Sequence, residues 1–100
     1  MPSARSGHSA VLHNQKMYIF GGKGEDSEKL NDLWAFDCIN LTWEKIKSVG
    51  PDSMLPMPRS GHSACMYGEN MIIFGGIYEV TRELNDMHCF NFIENRWITL

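Results

Sequence analysis

The chain repeats itself at a fixed interval. Arg5-Ser6-Gly7-His8-Ser9-Ala10 returns as Arg59-Ser60-Gly61-His62-Ser63-Ala64, and Phe20-Gly21-Gly22 returns as Phe74-Gly75-Gly76. Leu30-Asn31-Asp32 returns as Leu84-Asn85-Asp86, Phe36 as Phe90, and Trp43 as Trp97. Every pair lies 54 positions apart, so residues 1–46 align with 55–100 without a gap, and 19 of the 46 aligned positions are identical. Chance cannot supply that agreement, so the fold must use one small unit twice.

Each unit carries four short apolar stretches. In the first copy they are Ser9–Leu12, Met17–Phe20, Leu33–Phe36 and Thr42–Ile46; in the second they are Ser63–Met66, Met71–Phe74, Met87–Phe90 and Arg96–Leu100. They are aromatic or branched, bounded by Gly, Asn, Asp or Pro, and too short for typical helices, so they predict strands. The second stretch of each unit is apolar at consecutive positions. Strand side chains alternate between faces, so such a strand is buried on both sides. A four-stranded sheet with two buried faces needs a layer on each side, and repeating sheets stacked in this way make a propeller.

The ordered set of Arg-Ser-Gly-His-Ser, the Gly pairs Gly21-Gly22 and Gly75-Gly76, and Trp43 and Trp97 resembles the kelch repeat family. Each Gly pair precedes its Trp by 21 positions. A period of 54 fits the roughly 50-residue kelch repeat with a long connector. The resemblance implies an all-β fold, two four-stranded antiparallel blades of a kelch-type β-propeller. Residues 1–46 would form the first blade, 47–58 the inter-blade linker and 59–100 the second blade. Kelch propellers close with several blades, commonly six. Two blades leave two apolar outer faces, so the expectation is further blades in cis, in a longer chain, or assembly with other copies.

Within each blade, strands A to D are expected at Gly7–His13, Lys16–Phe20, Asp32–Asp37 and Thr42–Ile46, and again 54 positions later. Tight A–B and C–D connections contrast with longer B–C connections, residues 23–29 and 77–83, which share only Glu25 and Glu79. The linker is too rich in Pro for a central strand. Frames repeat while loops diverge, the pattern expected where loops carry specificity.

The Gly pairs follow a strand but open no helix, and no phosphate-loop or dinucleotide pattern surrounds them. They read as a tight end to strand B. Gly7, His8, Gly61 and His62 recur in both units, which favours a repeated structural role with local hydrogen bonds over a catalytic or metal site. His13 and His88 have no histidine counterpart and give no ligand spacing. Asp32 and Asp86, each after an Asn, read as turn formers, and Trp43 and Trp97 as blade-to-blade packing. The kelch resemblance makes Arg5 and Arg59 candidate contacts to an acidic partner; the alternative is an internal ion pair with Asp32 and Asp86. Tyr78, whose counterpart is Gly24, is not required by the frame. With Glu79 and Arg82 it is a candidate partner-binding group.

Nine basic and twelve acidic residues give a net charge of −3, which disfavours nucleic acid or an anionic membrane as partner. No apolar run is long enough for a membrane helix, and the first residues lack the apolar core of a signal peptide. Cys38, Cys65 and Cys89 are odd in number and lack C-x-x-C spacing, so they read as reduced, buried thiols of a cytoplasmic protein. Asn40-Leu41-Thr42 fits the glycosylation triplet by accident in that setting. No metal or cofactor is expected. The functional expectation is a protein-interaction module that binds a protein or peptide through the B–C and inter-blade loops. The alternative is a segment of a kelch-like enzyme of the oxidase, epimerase or specifier-protein type.

Overall fold

The computed structural model describes residues 1–100. The first unit holds β1 (Arg5–Ser6), β2 (Ser9–His13), β3 (Lys16–Gly24), β4 (Lys29–Asp37) and β5 (Thr42–Ile46). The second holds β6 (Ser63–Tyr67), β7 (Asn70–Phe74), β8 (Ile77–Glu79), β9 (Arg82–Glu83), β10 (Met87–Asn91) and β11 (Arg96–Thr99). Both main sheets are antiparallel, in the orders β2-β3-β4-β5 and β6-β7-β10-β11. They are two open, four-stranded blades of the all-β arrangement that the repeat predicts.

Local chemistry explains the tight ends. Asn14 and Gln15 adopt positive φ between β2 and β3, the geometry of a two-residue hairpin turn that matches strand twist. At the β4–β5 turn, Asp37 Oδ1 accepts hydrogen bonds from the Ile39 and Asn40 amides at 2.9 and 3.0 Å. These amides hold the Asp37 carboxyl below the usual carboxylate range. Asn91 does the same in the second blade, accepting from the Ile93 and Glu94 amides at 3.0 and 2.9 Å. An Asp and an Asn thus build the same side-chain-capped turn.

Three local expectations are corrected. In the first blade the Gly pair does not end strand B: β3 runs through it to Gly24, with a register shift between Phe20 and Gly22. Gly21 and Gly22 have φ of 68° and 108°, so the pair is a bulge in a continuing ribbon. In the second blade β7 does stop at Phe74, and β8 and β9 pair as a separate hairpin. Much of each B–C connection is therefore paired backbone rather than loop. Arg5–Ser6 forms an additional strand along the β3 extension. Of the three thiols, only Cys89 is buried; Cys38 and Cys65 are exposed.

The main core lies between the blades. Tyr18, Phe20, Leu33 and Ala35 of the first sheet and Met71, Ile73, Phe90 and Trp97 of the second form one buried cluster, with Val11, Ala64 and Met66 packed against it. One sheet face meets one sheet face, as the doubly apolar B strands require.

Candidate interaction surface

The repeated polar residues form two devices. The first is a brace inside each blade. Arg5 donates to Asp32 through Nη1–Oδ1 at 2.6 Å and Nη2–Oδ2 at 3.0 Å, and Nη1 also reaches the Gly21 carbonyl at 3.1 Å. Arg59 repeats this with Asp86 at 2.7 and 2.9 Å and with the Gly75 carbonyl at 3.0 Å, and adds the Met57 carbonyl at 2.9 Å. The fork geometry suits a planar guanidinium on a carboxylate. Each brace ties the entry to strand A, the Gly pair and the start of strand C. Arg59 is wholly buried and the Arg5 side chain nearly so. The geometry is the internal ion pair, and neither guanidinium is free at the surface.

A third group completes each brace. The Trp34 indole N–H donates to Asp32 Oδ2 at 2.9 Å. In the second blade His88 occupies that position, with Nε2 2.7 Å from Asp86 Oδ2. Burial opposes ionisation of Asp32, but the Arg5 and Trp34 hydrogen bonds outweigh it and hold the carboxyl below its ordinary value. The Arg59 hydrogen bond, supported by His88, holds Asp86 far below the carboxylate range.

The second device is the seam between blades. His62 Nε2 lies 2.7 Å from Ser9 Oγ, and the ring stands edge-on to Phe20 at 5.4 Å between centroids. The histidine bond is therefore inter-blade rather than local. Backbone bonds follow the same line: Gly22 N to Arg59 O at 2.8 Å, Arg59 N to Leu30 O at 3.0 Å, and Gly61 N to Gly7 O at 2.9 Å. Asn31 Nδ2 donates to the Pro56 carbonyl at 3.1 Å. The Gly pair permits this approach, because a Cβ on Gly21 would lie 3.0 Å from Arg59 O and 3.1 Å from the His62 ring. Trp97 reaches across to Phe20 at 5.0 Å, whereas Trp43 contacts Phe36 of its own blade at 4.9 Å. At the far end of the seam His13 stacks on Phe92 at 4.6 Å and pairs with Glu69 at 2.8 Å. The recurrence of Ser9 and Asn31 was a usable signal for the seam; nothing in the sequence pointed to His13, Glu69 or Phe92.

Strand alternation places the B–C hairpins and the linker at one end of both blades and the A–B and C–D turns at the other. The linker turns through a short 3-10 segment at Asp52–Met54. At this end Val80 is 98% exposed, Glu79 and Arg82 are exposed, and Tyr78 is half-buried. Arg82 stands 6.0 Å from the Tyr78 ring centroid, within cation–π reach. A cleft of about 420 Å³ opens beside the linker, lined by Asp32, Lys45, Lys47, Asp52 and Trp97 among others. The structure thus brings Tyr78, Glu79 and Arg82 together on one hairpin, whose Ile77 exchanges backbone hydrogen bonds with Ser60, the residue after the Arg59 of the second brace.

Comparison with known proteins agrees with this architecture. Residues 1–100 match the family described as the KLHDC2/KLHL20/DRC7 Kelch-repeats domain. The chain is 35% identical over 99 residues to Kelch domain-containing protein 3 of Bos taurus, covering 97% of this chain and 25% of that protein. It is 39% identical over 82 residues to Host cell factor 2 of Homo sapiens, covering 76% and 10%. It is 38% identical over 99 residues to the Rho GTPase-activating protein gacHH of Dictyostelium discoideum, covering 97% and 6%. The chain thus spans a quarter or less of these relatives. Its family match, its doubled motif and its two stacked sheets show that the chain belongs to the kelch-repeat family.

Proposed function

We propose that the chain is a protein-interaction module, binding rather than catalytic, whose B–C hairpins and inter-blade linker hold a protein or peptide partner. The observation that carries this reading is the contrast between frame and tip. The Arg–Asp pairs of the braces, the Gly pairs and the seam's His, Ser and Asn recur identically in both units, whereas the hairpin tips share only Glu25 and Glu79. The second tip leaves Val80 exposed and sets Arg82 over Tyr78, side chains that blade packing does not use. An aromatic–arginine pair beside an exposed aliphatic side chain has the composition of an interface anchor. At the same end of the blades, the cleft beside the linker adds Lys45, Lys47 and Asp52 as polar groups. Membership of the kelch-repeat family supports interaction in general terms.

The test is direct. A partner recovered by cross-linking to the immobilised chain is identified, purified and titrated against the wild type and the Tyr78→Ala/Arg82→Ala variant. The variant should bind about tenfold or more weakly with an unchanged melting temperature. Equal affinity would remove the hairpin from the interface.

A further inference from the structure

We propose that the two outer faces of this chain bind each other, so that a second copy seats its Arg5–Ala10 edge on the Gly75-Gly76 side of the second blade. The blade 1–blade 2 seam is heterologous: different faces of the same unit meet. Each face of that seam has an uncovered twin. Phe20 is wholly buried under His62, but Phe74, its identical counterpart, is 46% exposed. Ser9 bonds His62, whereas the Ser63 hydroxyl reaches only the Phe74 carbonyl at 3.5 Å. Asn31 is bonded to the Pro56 carbonyl, while Asn85 is exposed. A cleft of about 350 Å³ lies on this face, lined by Gly61, Ser63, Phe74, Gly75 and Gly76 with neighbours from the B–C hairpin. These are the counterparts of Gly7, Ser9, Phe20, Gly21 and Gly22, the groups that receive Arg59–His62 inside the chain.

The complementary key sits on the opposite side. His8 is exposed, and Leu12, the counterpart of packed Met66, is 67% exposed. Pro2, Arg5, Ser6, Gly7 and His8 are identical to Pro56, Arg59, Ser60, Gly61 and His62. A second copy therefore carries the sequence that the seam already accepts. In that pairing His8 bonds Ser63, Gly7 meets Gly61, and Asn85 donates to the Pro2 carbonyl. A head-to-tail contact of this kind repeats until the rotation closes.

Sedimentation of the 100-residue chain, from about micromolar to about millimolar concentration, reads the association directly. The mass should rise above one chain. Leu12→Glu spoils one face and Phe74→Glu the other, both at exposed positions, and each variant alone should associate at least about tenfold more weakly. Mixed together, they retain one intact pair of faces and should form a complex that stops at two chains. Cys65, on the Ser63 face, gives a readout without substitution: its alkylation should slow as concentration rises, while that of Cys38 should not. A wild type that stays monomeric, variants that associate like the wild type, a mixture no better than its components, or concentration-independent Cys65 alkylation would each overturn the proposal.

Discussion

His62 Nε2 and Ser9 Oγ meet at 2.7 Å across the seam, although 53 residues separate them in the chain. The other ring nitrogen, Nδ1, is buried without a partner. A neutral imidazole tolerates this site, but an imidazolium would carry an unpaired buried N–H near the Arg59 guanidinium. Burial first, then the Arg59 and His8 charges, push the His62 pKa down from 6.5 to about 4.

The sign of the pH dependence follows. Below about 6.5 the unfolded chain protonates this histidine while the folded chain does not, so protons favour unfolding until about pH 4. Stability contributed by neutral His62 is present above pH 6.5 and is lost as pH falls through that window, by up to about 1.4 kcal/mol per pH unit. Urea midpoints of the wild type should fall over this range, and those of His62→Gln should fall less. Parallel curves would show that His62 does not titrate as described.

The arginine brace predicts a stability phenotype. Arg59→Ala removes a buried fork from Asp86 and leaves the Gly75 and Met57 carbonyls without their donor. It should cost about 3 kcal/mol in urea denaturation. Arg59→Lys should also destabilise, because an ammonium cannot reproduce the bidentate geometry. A neutral Arg59→Ala would show that the brace contributes nothing to the stability of the fold.

The Gly pairs separate seam from turn. A methyl group on Gly21 meets the Arg59 backbone and the His62 ring of the other blade, whereas one on Gly75 meets only Leu84 O, at 3.3 Å. Both positions have positive φ, so Ala is strained at each, by about 1 kcal/mol. Gly21→Ala should lose more stability than Gly75→Ala, and the excess, measured by thermal or urea denaturation, reports the inter-blade contact. Equal losses would mean that the seam yields freely.

Much of this was legible in the residues. The 54-residue spacing identified the unit, and the doubly apolar Met17–Phe20 stretch required a second layer. The pairing of Arg with Asp was visible as joint recurrence, but its direction was open, because a repeated arginine is equally compatible with a brace and with a ring of surface charge. The reach of His62 into the neighbouring blade was hidden for a similar reason: recurrence shows that a residue has a repeated role, not which copy it touches. In the first blade the Gly bulge reads as a strand end because glycine favours both, and only the Leu30–Gly22 pairing distinguishes them. Nothing local distinguishes Cys65 from a buried thiol; its counterpart Val11 packs on the core because a blade follows it.

The central claim is that identical residues differ only in whether a blade lies over them, and Phe20 and Phe74 test it most directly. Phe20 is wholly buried and Phe74 is 46% exposed. In urea denaturation of the 100-residue chain at a concentration low enough to keep it monomeric, Phe20→Ala should cost about 4 kcal/mol. Phe74→Ala should cost about 1 kcal/mol or less. Equal losses at the two positions would contradict a core formed between the blades.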